Sequence, residues 1–428
     1  MNGERVGDWH LASGHGHEFV YAEPWLGSAN ARPISLSLPL RVSQEPYRKG
    51  VREFFDNLLP DNQQIRERIQ RRFGARSSDA FDLLLEIGRD CVGALQLVPE
   101  GNPPPELHQI TGKPLTEGDI EKLLVSAVGS RIGREDDNDD SFRISIAGAQ
   151  EKTALLWHNG QWLLPTGATP TTHILKLPIG TNGPGIDLST SVENEWLCAQ
   201  IADQFGIPTA KCRMEIFGEQ KALVVDRFDR RLVKDGTWYL RLPQEDFCQA
   251  TGFSPDQKYE TDGGPGIDEI MEILRNSDHA LEDQRDFMRT QVLFWMLAAI
   301  DGHAKNFSIF LLPKGAYQLT PRYDILSTHP MLGHGRSKLD PERIKMAMSV
   351  KGKSRHYEWR EIRARHYIET AKRHGIADMR SIIEEMVAQT STVIQRVQNL
   401  LPAEYPPQIA DSILNGVRAG AEQLKAEL

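Results

Sequence analysis

Near residue 227 the patterning of the chain changes, and that change limits the folds open to it. Before it, short runs with strand character recur at residues 142–146, 153–157, 162–164, 172–177, 214–217 and 222–225. After it, helical periodicity dominates. The spacing predicts a strongly apolar helix over 284–300 and helices with charged faces from 376 to 428. Asn159-Gly160, between two of the strand-like runs, is a hairpin turn signal. Thr190-x-x-Glu193 has the form of a capping box and predicts a helix running to about Phe205, stopped by Gly206 and Pro208. A β-rich part followed by a helical part predicts an α+β, two-lobed molecule with its ligand site in the cleft between the lobes.

The first hundred residues mix both patterns. Residues 33–42 alternate as a half-buried strand would, and 54–69 and 80–87 read as helices. The Asn-Pro-Pro-Pro-Glu run at 102–106 marks a stiff linker. Five acids within residues 135–140 read as a solvated connector. The pentapeptide GPGID occurs at 183–187 and at 264–268 in different surroundings, which is turn chemistry rather than a repeat. The expected organisation is an α/β subdomain over 1–110, a β-rich lobe over 142–228 and an all-helical lobe over 229–428. The length of 428 residues suits two or three domains.

Fifty basic and fifty-nine acidic residues give a net charge of −9, so the overall field does not hold this chain on nucleic acid. Only a local patch could. Between Lys351 and Arg373 there are eight Lys or Arg and three Glu, with Lys351, Lys353 and Arg355 close together in a loop-like run. This is either a solvated face or a surface for phosphates. The four cysteines form no CxxC pair, which argues against a disulfide framework or a zinc ribbon. The N-terminal residues lack a signal-peptide pattern, and the longest apolar run, 292–300, is far short of the ~20 residues a spanning helix needs. A cytoplasmic protein without membrane contact is expected.

The strongest chemical signal is Asp301 followed by Asn306. The spacing D-x-x-x-x-N matches the catalytic loop of protein kinases, where the Asp accepts a hydroxyl proton and the Asn holds a metal. Asp324 follows after a strand–turn–strand pattern (307–312, then 317–319), where kinases place their second metal-binding Asp. The tripeptide is Tyr-Asp-Ile rather than Asp-Phe-Gly. Singly, each Asp reads as a cap or turn residue; in this order and context they point to phosphoryl transfer.

Other parts of such a site can be nominated. Between Ser145 and Lys152, the small residues Ala147, Gly148 and Ala149 would let backbone N–H groups approach an anion. Glu151 precedes Lys152, so this is not a Walker loop, and it reads equally as a plain hairpin connection. Lys176, inside an apolar strand, suits a phosphate-pairing lysine or a snorkelling edge residue. Glu195, on the following helix, is its candidate partner. Residues 225–228 would connect the lobes, where backbone groups can read adenine, and Phe228 suits either packing on that ring or a place in the core at the lobe junction. No GxSxG, HExxH or GxGxxG occurs.

The strings FRISIAGAQEKTALL, THILKLPIG, VDRFDRR, RLPQEDFCQ, KYETDGGPGI, DGHAKNFS and LTPRYDI resemble the HipA family, the serine/threonine-protein kinase toxins of HipBA toxin–antitoxin modules. The resemblance extends from about Arg5 through the C-terminal helices. It implies a two-lobed kinase-like fold, ATP and Mg²⁺ as cofactors, and a protein serine as acceptor, with glutamate–tRNA ligase a target in the family. Phosphorylation of that ligase leads to growth arrest and persistence. It implies Asp301 as catalytic base, Asn306 and Asp324 as magnesium ligands, and Ser145 as a self-silencing autophosphorylation site. Nucleotide binding falls on Ile146, Ala147, Gly148, Ala149, Gln150, Lys152, Lys176, Asp226, Phe228, His303 and Asn306, with Glu195 supporting the lysine. The implied partner is a HipB-type helix-turn-helix antitoxin. Operator DNA is reached through the antitoxin complex, near Lys351, Lys353 and Arg355. Family members begin with an apolar strand before the turn matching Asn2-Gly3, so either the polypeptide starts at that turn or a first strand precedes it. Two rivals share these residues: a small-molecule phosphotransferase, and a non-catalytic co-repressor. Intact Asp301, Asn306, Asp324 and Lys176 argue against the latter.

Overall fold

In a computed structural model of the chain the described residues are 1–14, 16–42, 45–103, 106–128, 150, 152–181 and 185–428. The acidic run at 135–140 and the strand expected at 142–146 lie outside them. The chain divides into two compact units. The first comprises Met1–Leu177, Glu215–Lys258 and Ser308–Tyr317; the second comprises Pro178–Met214, Tyr259–Phe307 and Gln318–Leu428.

The first unit opens with a hairpin, Gly7–Ala12 against Gly16–Tyr21, covered by helices Val51–Asp56, Gln63–Phe73 and Ala80–Ile87. Trp9 stacks on Phe55 at 3.9 Å, and Leu38, Leu59, Leu83, Leu84 and Ile87 are fully buried beneath them. Two expectations fail here. Residues 33–42 make only the isolated bridge Ser35–Leu38, because Pro33 and Pro39 supply no ladder donor. Residues 54–69 are two helices rather than one. Pro60 stands at the break, and Asn62 caps the second helix by accepting from the Gln64 and Ile65 amides.

A six-stranded sheet follows, in the order Gly112–Pro114, Gln161–Pro165, Lys152–His158, His173–Lys176, Gln220–Asp226, Cys212–Phe217. The Asn159-Gly160 turn forms as expected, both residues having positive φ. Alternation sends Leu155, Leu164, Leu175 and Val224 to one face, where Ile120 and Leu124 of helix Glu117–Val128 seal them. Cross-strand register puts Lys152 opposite Lys176, on the other face, with Leu223 beyond.

A buried charge cluster ties the N-terminal part to the segment after Asp226. Along Asp226–Asp229 exposure alternates: Asp226 and Phe228 are half-buried, while Arg227 and Asp229 point inward. Asp90 meets Arg230 at 2.9 Å, Arg227 at 3.3 Å and Arg241 at 3.3 Å, and accepts from the Thr171 amide at 3.0 Å and hydroxyl at 2.8 Å. Arg227 also holds Asp229 at 2.9 Å, and Arg230 donates to the Gly93 carbonyl at 2.7 Å. Burial alone would raise the Asp90 carboxyl; Arg230, Arg227 and Arg241 outweigh it and hold it well below the usual carboxylate range.

Glu245, on strand Gln244–Asp246, is the opposite case. It is fully buried, accepts from the Leu36 amide at 2.8 Å through Oε1, and leaves Oε2 without a partner among the described residues. Burial pushes its carboxyl up to about 8. Below ~4.3, the pKa of an unfolded Glu, both states are protonated and folding carries no ionisation cost. As pH rises toward 8, the unfolded chain releases its proton before the folded one does, so this group's contribution to stability is lost. Glu245→Gln removes a slope of up to ~1.4 kcal/mol per pH unit between those limits. Urea unfolding at about pH 5.5 and about pH 7.5 reads the change, and a variant with the wild-type slope refutes it.

The second unit is mainly helical, with Ser191–Gln204, Ile267–Leu274, Ala280–Met296, Ala364–Arg373, Met379–Leu400 and Pro407–Glu427. The all-helical lobe expected over 229–428 is not what forms, because strands interrupt that range in both units. Lys345–Lys351 pairs with Arg355–Glu358 as an antiparallel hairpin, the first strand buried on both faces from Met346 through Val350. Helix Ser191–Gln204 starts where expected, but the Thr190 side chain makes no capping bond. None of the four cysteines is in a disulfide, and among the described residues no helix is long and apolar enough to cross a membrane.

Candidate active site

In the second unit, helix Ala280–Met296 is continuously buried from Thr290 onward and ends abruptly. Ala298 takes φ 47°, a left-handed conformation that stops the helix and turns the chain toward Asp301. Its last carbonyls need partners, and the segment after Asp324 supplies them. The Ser327 hydroxyl donates to the Leu297 carbonyl at 2.6 Å, the Thr328 amide to the Ala298 carbonyl at 3.1 Å, and His329 Nε2 lies 2.9 Å from the Met296 carbonyl. Asn194, on helix Ser191–Gln204, grips Ser327 from the other side, donating to its carbonyl at 2.8 Å and accepting from its amide at 2.9 Å. Upstream of Asp324, the buried Arg322 donates to Thr290 Oγ1 on the same long helix at 3.3 Å. The segment carrying Asp324 is therefore fastened on both sides to the helix that delivers Asp301. Asp324 itself holds φ 57°, a strained setting for a non-glycine residue and one found where surroundings over-determine the backbone.

The Asp301–Asn306 turn is tight. The His303 amide donates to the Asp301 carbonyl at 2.8 Å and to Asn306 Oδ1 at 3.2 Å, and the Asn306 amide donates to the His303 carbonyl at 2.9 Å. Tyr323 Oη donates to the Lys305 carbonyl at 2.9 Å, joining this turn to the residue before Asp324. Asp301 is exposed, and Tyr259 Oη donates to its Oδ1 at 2.5 Å. Asn306 and Asp324 offer a carboxamide and a carboxylate, hard oxygen donors of the kind Mg²⁺ takes alongside substrate phosphates. The donor chemistry fits that ion, and His303 fixes the carboxamide. Among the described residues no group of three or more His, Cys, Asp or Glu forms a metal cage, which a site completed by phosphates does not require. Glu195 also belongs to this unit, buried on helix Ser191–Gln204.

The remaining residues nominated for the nucleotide lie in the first unit or outside the described residues. Ser145, Ile146, Ala147, Gly148 and Ala149 are among the latter. Gln150 donates to the Leu177 carbonyl at 2.7 Å, at the end of the strand that carries Lys176. Lys176 is buried, with Lys152 as its cross-strand neighbour. Asp226 lies 3.1 Å from His173 Nε2, and Phe228 packs edge-on against Phe310 at 5.7 Å.

The basic run is largely neutralised within the second unit, and it is a hairpin end rather than a loop. Lys351 pairs with Asp268, and Arg355 lies 3.4 Å from Glu260; Lys353 sits exposed in the turn. Sequence reasoning gave no role to Tyr259, although it falls in the string KYETDGGPGI. Nor did it anticipate the Ser327–His329 capping set.

Known proteins match the chain along most of its length. A family model described as HipA N-terminal domain matches residues 1–98, and one described as HipA-like C-terminal domain matches 144–394. The chain is 36% identical to Y4mE of Sinorhizobium fredii (strain NBRC 101917 / NGR234) over 318 residues, 72% of each chain. It is 28% identical to the serine/threonine-protein kinase toxin HipA of Shewanella oneidensis MR-1 over 318 residues, 72% of this chain and 69% of that protein. Among solved structures, the Shewanella oneidensis MR-1 toxin–antitoxin complex of HipA, HipB and operator DNA aligns with a TM-score of 0.79 at 22% identity, covering 98% of this chain and 95% of the matched chain. That likeness shows a shared fold.

Proposed function

The chain belongs to the HipA family, and on that premise we propose that it is an ATP-dependent protein serine/threonine kinase, the toxin half of a toxin–antitoxin pair. The observation that carries the reading is the fastening of the Asp324 segment to the helix that ends at Asp301. Phosphoryl transfer asks mainly for positioned charges and oxygen ligands, and this arrangement supports two carboxylates, Asp301 and Asp324, and the Asn306 carboxamide in those roles.

Each residue then has a task. Asp301, exposed on its turn, accepts the proton of the acceptor hydroxyl as that oxygen bonds to the γ-phosphorus and the bond to the β–γ bridging oxygen breaks, releasing ADP. Asn306 and Asp324 would hold Mg²⁺, which neutralises charge on the phosphates when bound. Lys176 contacts the phosphates, with Glu195 as its supporting partner. Lys152, Gln150 and the small residues from Ile146 to Ala149 cover them. Asp226 and Phe228 read the adenine, and His303 holds Asn306 in place. Ser145 is the autophosphorylation site: a dianion there repels the ATP phosphates. The acceptor is a protein serine, with an aminoacyl-tRNA synthetase such as glutamate–tRNA ligase the class to test first. A HipB-type antitoxin is the partner, through which operator DNA is reached; the solved Shewanella complex supports this part. Because Lys351 and Arg355 are already paired, Lys353 is the readiest of the three for a phosphate.

The test is mass spectrometry of the intact chain and its peptides after incubation with ATP and Mg²⁺, comparing wild type with Asp301→Ala. One added phosphate on Ser145, absent in the variant, is the expected result. No phosphate in either protein, with ATP bound, would overturn the protein-kinase reading in favour of a small-molecule acceptor or a purely regulatory subunit.

A further inference from the structure

A carboxylate that takes a proton from an acceptor must present an oxygen in a fixed direction, and an exposed Asp side chain does not do so unaided, since its terminal torsion is broad. Here the carboxylate is held. Tyr259 Oη donates to Asp301 Oδ1 at 2.5 Å, in the range of charge-assisted O–H···O⁻ bonds, and Oδ2 has no partner among the described residues. The Tyr259 ring stands edge-on to His303 at 5.0 Å and 84°, against the same turn.

The tyrosine is itself braced. Its carbonyl accepts from the Asp262 and Gly264 amides, both at 3.0 Å, closing a turn. The next residue, Glu260, accepts from the Ser349 amide at 2.6 Å and its hydroxyl at 2.8 Å, and lies 3.4 Å from Arg355. A Cβ on Gly266 would come within 2.5 Å of Glu260 Cδ, so the brace depends on glycine there. Two elements of the second unit thus bear on Tyr259: the hairpin of Lys345–Lys351 and Arg355–Glu358 through the neighbouring Glu260, and the Asp301 turn through His303 against the ring.

From this geometry we infer that Tyr259 is a positioning residue for the phosphoryl-transfer base, occupying Oδ1 of Asp301 so that Oδ2 faces the acceptor, with Glu260 as its anchor. The inference rests on Asp301 being the base, as proposed above. The acceptor's proton passes to Oδ2, and the tyrosine keeps its own.

The experiment is single-turnover autophosphorylation from γ-labelled ATP with Mg²⁺, measured across ATP concentrations for wild type, Tyr259→Phe, Glu260→Gln and Asp301→Ala, with thermal melting of each. Tyr259→Phe keeps the ring and removes only the hydroxyl. Its rate at saturating ATP is expected to fall ~10–100-fold, the size of a lost hydrogen bond to a charged group, with half-saturating ATP within ~2-fold of wild type. Glu260→Gln lowers the same rate by less, again without moving half-saturation. A Tyr259→Phe rate equal to or above wild type would overturn the role, as would a fall that moves half-saturation in proportion. Failure of the underlying reading looks different: no transfer by wild type, or transfer surviving in Asp301→Ala, removes the base itself and this role with it.

Discussion

Asp301→Ala is expected to lower phosphate transfer by at least the ~10²–10⁴-fold attributed to a general base, with little change in stability. The side chain is exposed and its hydrogen bond within the protein is the one accepted from Tyr259, so removing it opens no cavity. Asn306 and Asp324 keep their settings, because these depend on His303 and on Ser327 to His329 rather than on the Asp301 carboxylate. ATP affinity is therefore expected to persist. Transfer rates and equilibrium ATP binding, measured on the same preparation, check both halves of this expectation. A variant that keeps near-full rate would refute Asp301 as base, and one that melts far below wild type would show that the turn needs the carboxylate structurally.

Asp90→Ala is expected to destabilise the fold far more than Asp301→Ala, Tyr259→Phe or Glu245→Gln. Removing one partner of a buried ion cluster typically costs ~3–5 kcal/mol, because the remaining charges stay buried and unpaired. Three arginines, Arg227, Arg230 and Arg241, lean on this carboxylate, and only Arg227 and Arg230 have Asp229 as a second one. Chemical denaturation at neutral pH reads the effect, and a loss below ~1 kcal/mol would contradict it. The pH dependence has a definite sign. The folded pKa of Asp90 is depressed below that of the unfolded chain, so its contribution is present above ~4 and is lost as pH falls further. Combining Asp90→Ala with Arg230→Met is expected to recover part of the stability, since one stranded cation leaves with the carboxylate.

Much of the sheet was legible in the sequence. Alternation around Lys152–His158 and Gln161–Pro165 fixes which residues face helix Glu117–Val128, and Asn159-Gly160 fixes their register. The Asp301 turn was legible because its chemistry is local: donor and acceptor lie within a few residues. What escaped was long-range or competitive. Tyr259 stands 42 residues from Asp301 along the chain, and no periodicity links them. Ser327, Thr328 and His329 look like loop residues until the broken helix end at Ala298 supplies carbonyls for them. The Thr190–Glu193 spacing is a capping-box pattern whose side-chain bond does not form. At 33–42 the alternation was present, but two prolines removed the donors a strand needs. The basic stretch looked available in sequence because Asp268 and Glu260, which pair with Lys351 and Arg355, lie far upstream.

Two segments that hold opposite charges of one buried cluster cannot be exchanged separately. Asp90 belongs to the stretch matched at 1–98, and Arg227, Asp229, Arg230 and Arg241 to the stretch matched at 144–394. A chimera that takes its first hundred residues from a donor without an acid at that place would bury three guanidinium groups against one carboxylate. Recombination between such chains is thereby restricted to donors that match at both ends of the cluster, and a change of either end selects for a compensating change in the other.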